Sequence, residues 1–326
     1  MNNILVEIKD LYVEYQTDTE DVCALNGIDL VIHRGESLGI VGETGAGKTT
    51  LALSLLQLLP DRVGKVTKGS IHYDGMDVLK ASKRELLAMR GAKVSMIFQD
   101  PMTALNPILT VGSQISEVLE LHYPEMGHRE REQQVDDIME MVGIPKQRKG
   151  EFPHQFSGGM KQRIGIAMAL VAEPELLLAD EPTTALDVTI QAQILVLMKQ
   201  LKEKFNSAMV LITHDLGVVA EFCENVAIIY AGEIIEHGSV EDVFSRKKNH
   251  PYTVGLFNSI PTITGDVDRL TPIPGTMADP TNLPKGCKFA DRCPHAMERC
   301  HREVPPLYTD GTHSIKCFLF EKREGA

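Results

Sequence analysis

Gly42-Glu43-Thr44-Gly45-Ala46-Gly47-Lys48-Thr49 follows a short apolar run at 37–41 and precedes a helix-like stretch at 48–59. The octapeptide has the pattern G-x-x-x-x-G-K-S/T, in the strand, loop, helix setting that a phosphate-binding loop requires. Its glycines let the backbone curl so that successive N–H groups point at phosphate oxygens, and the helix that follows adds the positive end of its dipole. Glu43, Thr44, Gly45, Ala46 and Gly47 then form the cradle. Lys48 bridges the β- and γ-phosphates, Thr49 offers its hydroxyl to Mg2+, and Thr50 joins the nucleotide-binding set.

Outward from this loop, short β-rich runs alternate with longer helical patterns, which indicates an α/β fold with a mainly parallel sheet. Strands are expected at 37–41, 94–98, 176–179, 209–213 and 226–230, each a short apolar run of the kind buried in a sheet centre. Ile190, Ile194, Leu197, Leu201 and Phe205 are spaced three or four apart and share one helix face that packs on the sheet. The run at 176–179 ends in Asp180-Glu181, two carboxylates at the carboxyl edge of the sheet, where open α/β folds bind ligands. Asp180 is placed to hold Mg2+, and Glu181 to accept a proton from an attacking water. No Asn-Lys-x-Asp guanine-reading motif occurs, so ATP is the expected nucleotide.

The 326 residues amount to about two domains of usual size. A net charge of −12 argues against a broad nucleic-acid surface and against adhesion to anionic lipid, and favours a protein partner or a small ligand. No apolar run approaches the roughly 18 residues of a membrane span, and the opening MNNILVEIKD lacks the order of a secretory signal, so a cytoplasmic location is expected. Nine of the 17 prolines and four of the six cysteines fall after His250, which places a boundary there. Cys23 and Cys223 stand alone in apolar contexts and read as buried, inert thiols.

About twenty residues before the acidic strand lies Phe156-Ser157-Gly158-Gly159-Met160-Lys161-Gln162-Arg163, on local chemistry a helix cap. At this position the chain resembles the ATP-binding cassette (ABC) ATPases, whose signature motif FSGGMKQR closely matches. The resemblance implies an α/β P-loop NTPase fold with a RecA-like core, an antiparallel β subdomain and an inserted helical subdomain at about 100–170. It also implies a nucleotide-binding domain over 1–250 and a Pro- and Cys-rich extension over 251–326. Gln99 in IFQDP looks like the family glutamine that touches Mg2+ and water while sensing a transmembrane partner. Ala185-Leu186-Asp187 resembles the loop that crosses the dimer interface. His214 in LITHD resembles the histidine that contacts the γ-phosphate. Tyr15 aligns with the aromatic that stacks on adenine, with Tyr12 as the other candidate. Ser157, Gly158 and Gly159 would close over the nucleotide of an opposing subunit, so hydrolysis needs a dimer.

Asp100-Pro101-Met102-Thr103-Ala104-Leu105-Asn106-Pro107, with His250-Pro251-Tyr252-Thr253 and the tail, is similar to the dipeptide/oligopeptide (and nickel) importer ATPases. That similarity implies a second ATPase subunit, identical or related, two transmembrane permease subunits and an external peptide-binding protein. It places the chain at the cytoplasmic face of the membrane. A soluble cassette ATPase of DNA repair or translation is the rival reading, but there is one cassette, no long coiled-coil insertion and no basic stripe.

Cys287, Cys293, Cys300 and Cys317 cluster within about thirty residues. Soft thiolates suit zinc or an iron–sulfur cluster. The C-x2-C hairpins usual for structural zinc are missing, His295, His301 and His313 keep mixed ligation open, and a disulfide is the third option. Spacing leaves these open; the importer resemblance implies a 4Fe-4S cluster on the four cysteines.

Overall fold

The computed structural model describes residues 3–100, 104–184, 186–245, 247–259 and 272–321; Pro101, Met102, Thr103 and Ala185 lie outside them. The chain divides into two compact units. One is drawn from 1–5, 32–37 and 74–212, the other from 6–31, 38–73 and 213–326.

In the first unit the strand Leu176–Asp180 pairs in parallel with two neighbours. Val94–Ile97 lies on one side, from Val94 opposite Leu176 to Ile97 opposite Ala179, and Ala208–Thr213 on the other, from Leu176 opposite Ala208 to Asp180 opposite Ile212. Leu176, Leu177 and Leu178 are 0–2% exposed, as a strand covered on both faces must be, and each burial contributes roughly 2 kcal/mol. Val94–Ile97 stops one residue earlier than its apolar run suggests, because Phe98 turns outward and is 46% exposed.

Helices Val111–His122, His128–Met141, Gly158–Leu170 and Val188–Phe205 belong to the same unit. Val188–Phe205 begins two residues before the apolar periodicity does, because Asp187 caps it by accepting the Ile190 N–H at 3.0 Å. Ile194, Leu197 and Leu201 are buried as their spacing requires, and Leu195 and Met198 widen that face. The buried Gln114 amide accepts from the Asn106 N–H at 2.8 Å and donates to the Asn106 and Leu109 carbonyls. One side chain thereby fixes the loop at 106–110.

In the second unit Ser37–Val41 runs parallel to Asn225–Tyr230, from Leu38 opposite Asn225 to Val41 opposite Ile228. Asn225–Tyr230 continues through a tight turn at Ala231 and Gly232, both with positive φ, into the antiparallel strand Glu233–Ser239. The C-terminal extension then adds two short strands, His313–Ile315 against Glu233–Ser239 and Tyr308–Asp310 outside it. A separate antiparallel pair, Ile4–Gln16 with Gly64–Tyr73, carries Tyr15. The helix after the phosphate loop spans Lys48–Leu55, four residues short of the expected 59. It ends there because Gln57 adopts a left-handed conformation, Leu58 is 40% exposed and Pro60 follows.

The core of this unit is shared with the extension: Tyr230, Tyr252 and Phe289 sit among Val41, Leu216, Val226 and Ile228. Their rings meet edge to face at centroid distances of 4.7, 5.2 and 5.4 Å. The wholly buried Glu236 carboxylate joins the two chain segments. It accepts from Asn249, the His250 N–H, Thr253 Oγ1 and, across 77 residues, pairs with His313 Nε2 at 2.7 Å. Four partners satisfy a charge that would otherwise be very costly to bury. No helix among the described residues is long and apolar enough to cross a membrane.

Candidate active site

The phosphate loop leaves Ser37–Val41 at Gly42, and backbone crowding dictates its glycines. A Cβ on Gly42 would lie 2.3 Å from the Ile229 carbonyl oxygen, and one on Gly47 would lie 2.6 Å from the Ala24 oxygen. Gly47 has φ +102, a region that glycine alone enters without strain. The Ala46 N–H closes the turn onto the Glu43 carbonyl at 3.2 Å, and the Ala46 carbonyl accepts from Gly232 at 3.0 Å. Thr44, Gly45 and Thr49 are exposed on the loop and helix start. Lys48 is 6% exposed, with Nζ donating to the Gly42 and Glu43 carbonyls at 2.8 and 2.9 Å, so its ammonium lies within the curve of the loop. A tight glycine-containing loop that encloses a cation at the start of a helix suits an oxyanion.

Tyr15 and Tyr12 are separated by their contacts. The Tyr15 hydroxyl shares a 3.1 Å hydrogen bond with Thr50 Oγ1, on the phosphate-loop helix. Tyr12 instead packs at Gly27 and carries Lys68 over its ring at 5.0 Å. His214 follows the strand Ala208–Thr213 and is exposed.

In the first unit, Asp180 closes its strand at 2% exposure, and Glu181 follows with φ +44. That conformation is uncommon for a side chain of this size and is stabilised by the Glu181 N–H bond to the Ile212 carbonyl at 2.9 Å. It aims the carboxylate at two donors, Gln99 Nε2 at 3.0 Å and Thr184 Oγ1 at 2.9 Å. Gln99 and Glu181 are thus brought together across 82 residues, whereas Thr184 carried no sequence signal beyond its closeness to Glu181. Ser157 caps the helix Gly158–Leu170, accepting the Met160 N–H at 3.4 Å, and Ser157 and Gly158 are exposed. A Cβ on Gly159 would meet Ile190 Cγ2 at 2.8 Å, so this glycine permits the signature helix to approach Val188–Phe205. The buried Gln162 side chain ties the same helix to the Pro182 carbonyl.

All four clustered cysteines line one apolar pocket in the extension, with Phe289, His295, Met297 and Phe318. All four are free thiols in the structure. His313 is committed to Glu236 and His301 lies beside Asp291, which leaves His295 as the one of the three histidines on the pocket wall. Backbone N–H groups face the sulfurs: Met297 reaches Cys300 Sγ at 3.4 Å, and Phe289, His295 and Leu319 donate to Cys287, Cys293 and Cys317. Burial, the largest effect, pushes the Cys287 thiol up to about 12 and Cys317 up to about 11; those N–H bonds offset it only in part. Uncharged thiols are therefore the stable form unless a cation joins them. No group of three or more His, Cys, Asp or Glu side chains among the described residues is arranged to hold a metal ion. The other two cysteines, Cys23 and Cys223, are half-buried rather than enclosed.

Sequence reading missed a group of residues from beyond position 250 that contact the phosphate loop. Tyr252 Oη accepts the Glu43 N–H at 3.0 Å, and Arg292 grips the Glu43 carboxylate with both terminal nitrogens, at 2.9 and 3.1 Å. A separation of 249 residues leaves no local pattern that could reveal such a pair.

The ABC transporter family model matches residues 25–184, and the model of the oligopeptide/dipeptide transporter C-terminal region matches 235–300. The chain is 46% identical over 325 residues to the oligopeptide transport ATP-binding protein AppD of Bacillus subtilis, covering 99% of this chain and 98% of that protein. It is 46% identical to the dipeptide transport ATP-binding protein DppD of Bacillus subtilis, over 98% of this chain and 96% of that one. Among solved structures, the dimeric post-hydrolysis state of the ATP-binding cassette MJ0796, bound to ADP and Pi, is 30% identical with a TM-score of 0.65. It covers 72% of this chain and 99% of that one.

Proposed function

The chain belongs to the ABC transporter ATPases, in their oligopeptide/dipeptide branch, and from that premise we propose that it is the ATP-binding and ATP-hydrolysing subunit of a peptide importer. The observation that carries this reading is that whole-chain identity extends through the C-terminal region, which a generic cassette lacks.

Each residue has a task in this reading. The loop formed by residues 43–47 and the Lys48 ammonium cradle the β- and γ-phosphates, Thr50 anchors Tyr15, and Tyr15 stacks on adenine. Its bond to Thr50 favours it over Tyr12. Thr49, Asp180 and Gln99 would hold Mg2+, hard oxygen donors suited to that ion, which neutralises phosphate charge. Glu181 takes the proton of the attacking water, with Gln99 and Thr184 orienting its carboxylate, and His214 contacts the γ-phosphate.

Ser157, Gly158 and Gly159 serve the nucleotide of a second ATPase subunit, identical or related, and Asp187 lies at that interface. The exposed Ser157 and Gly158 at a helix N-terminus suit an anion arriving from outside the protomer. ATP favours the closed pair over the open one, and that differential affinity drives motion in two membrane permease subunits. The helical region at about 100–170, within a nucleotide-binding domain of 1–250, meets the permease. Phe98, Ile108 and Leu109, exposed by 46, 78 and 39%, lie on the segment around Gln99 and suit that contact. The chain thus sits peripherally on the cytoplasmic face of the membrane, and an external binding protein selects the peptide. The test is reconstitution with candidate permease and ATPase subunits in vesicles. Peptide uptake that requires ATP supports the proposal; nickel uptake without peptide uptake, or ATPase activity stimulated by DNA or ribosomes instead, overturns it.

For the extension, 251–326, we propose a 4Fe-4S cluster on Cys287, Cys293, Cys300 and Cys317. Four thiols lining one pocket, each met by a backbone N–H, support a cluster, which spreads its ligands over several irons. They do not need to converge on a single ion, as zinc would demand. When bound, the cluster would supply four strong Fe–S bonds that staple a loop-rich segment. Anaerobically purified protein is expected to be brown and to lose its iron and colour on Cys→Ser substitution. Stoichiometric zinc without iron would defeat the assignment.

A further inference from the structure

We infer that Arg292 is a positioning residue for the phosphate loop, holding its shape for nucleotide through a two-pronged ion pair with Glu43. The inference rests on the ATPase reading above and adds to it a role for the C-terminal extension in nucleotide binding.

Glu43 is held at both ends. Its carboxylate receives Arg292 Nη1 and Nη2, and its N–H donates to Tyr252 Oη. The carbonyl of the same residue accepts from Lys48 Nζ at 2.9 Å and from the Ala46 N–H at 3.2 Å. The position of Glu43 therefore sets both the cation and the turn that an incoming triphosphate meets. Arg292 is itself locked. Its side chain is 7% exposed, Nε donates to the Pro274 carbonyl at 2.8 Å, and Nη1 also reaches Tyr230 Oη at 3.4 Å. The guanidinium lies over the Tyr230 and Phe289 rings at 5.7 and 5.9 Å. Such a group cannot follow Glu43 outward, so the carboxylate is tied to a fixed point in the aromatic core. Met277, also in the extension, places its methyl 3.3 Å from where a Cβ on Gly45 would sit, against the tip of the loop. Neutralisation acts in the same direction, because an unpaired carboxylate on the loop would repel polyphosphate.

The alternative is that the pair only pins the extension. That role lowers the melting temperature without altering how the folded chain binds nucleotide. The experiment uses the full-length chain and measures Mg-ATP affinity by calorimetry together with amide hydrogen exchange of the 42–48 segment, for wild type, Arg292→Ala, Glu43→Gln and the double variant. Arg292→Ala is expected to weaken Mg-ATP binding about fivefold or more and to speed exchange across the loop. In the Glu43→Gln background the same substitution should add little. Unchanged affinity and exchange in Arg292→Ala, or an equally large effect when Glu43 is already Gln, overturns the inference. Arg292→Lys, which keeps the buried cation but not the two-pronged geometry, is read by the same criteria if the alanine variant does not fold. A wild-type chain that binds no Mg-ATP overturns the ATPase reading itself; a binding wild type with indistinguishable Arg292 variants overturns this inference alone.

Discussion

Replacing Glu181 by Gln is expected to cut steady-state ATP hydrolysis by about 10²–10⁴-fold, the usual worth of a positioned general base, while ATP still binds. The substitution is nearly isosteric. An amide can keep a contact with Gln99 or Thr184 and leave the backbone at φ +44 undisturbed. What it loses is basicity, since a neutral amide cannot take the proton of the attacking water. With hydrolysis blocked and the phosphate loop intact, ATP should accumulate in the closed pair. Size-exclusion chromatography should then show an ATP-dependent dimer that wild type populates only briefly. Near-wild-type turnover in the variant would remove Glu181 from the chemistry, and Asp180, 2% exposed beside it, would become the carboxylate to test.

Lys48→Ala should act one step earlier. The ammonium is almost fully enclosed and held by the Gly42 and Glu43 carbonyls, so its charge acts in a poorly screened setting. Removing a buried charged partner of an anion typically costs about 2–4 kcal/mol, which corresponds to a loss of Mg-ATP affinity of roughly 30- to 1,000-fold. Calorimetry on the purified chain reads this directly, and thermal unfolding separates it from damage to the loop. Affinity equal to that of wild type would refute the oxyanion-receptor reading of residues 42–49. The two variants should therefore differ in kind: one binds without turning over, the other fails to bind.

Much of this was legible because the chemistry of a phosphate loop is written in contiguous residues. Gly42 and Gly47 are demanded by crowding within 2.3 and 2.6 Å, and the pattern that reports them is local. The same holds for Ser157 as a helix cap and for Asp180-Glu181 at a strand end. Element ends were less legible. Phe98 and Leu58 are apolar and extend their runs on paper, yet both are substantially exposed, because hydrophobicity alone does not say where a neighbouring strand or helix stops covering them. The cysteine spacing left zinc, iron–sulfur and disulfide chemistry open; the structure gathers the four thiols on one pocket and withdraws His301 and His313 from it.

Sequence alone pointed to the loop, the two acids, the signature cap and the family they imply, since each is written in residues only a few positions apart. Tertiary structure alone decided that Tyr15 rather than Tyr12 is tied to the phosphate-loop helix, and that Glu236 fastens His313. It also decided that Arg292 and Tyr252 of the extension grip Glu43. Those contacts join segments 35 to 249 residues apart. A hydrogen bond or ion pair depends on distances of about 3 Å, and separation along the chain places no constraint on such distances until the intervening core has packed.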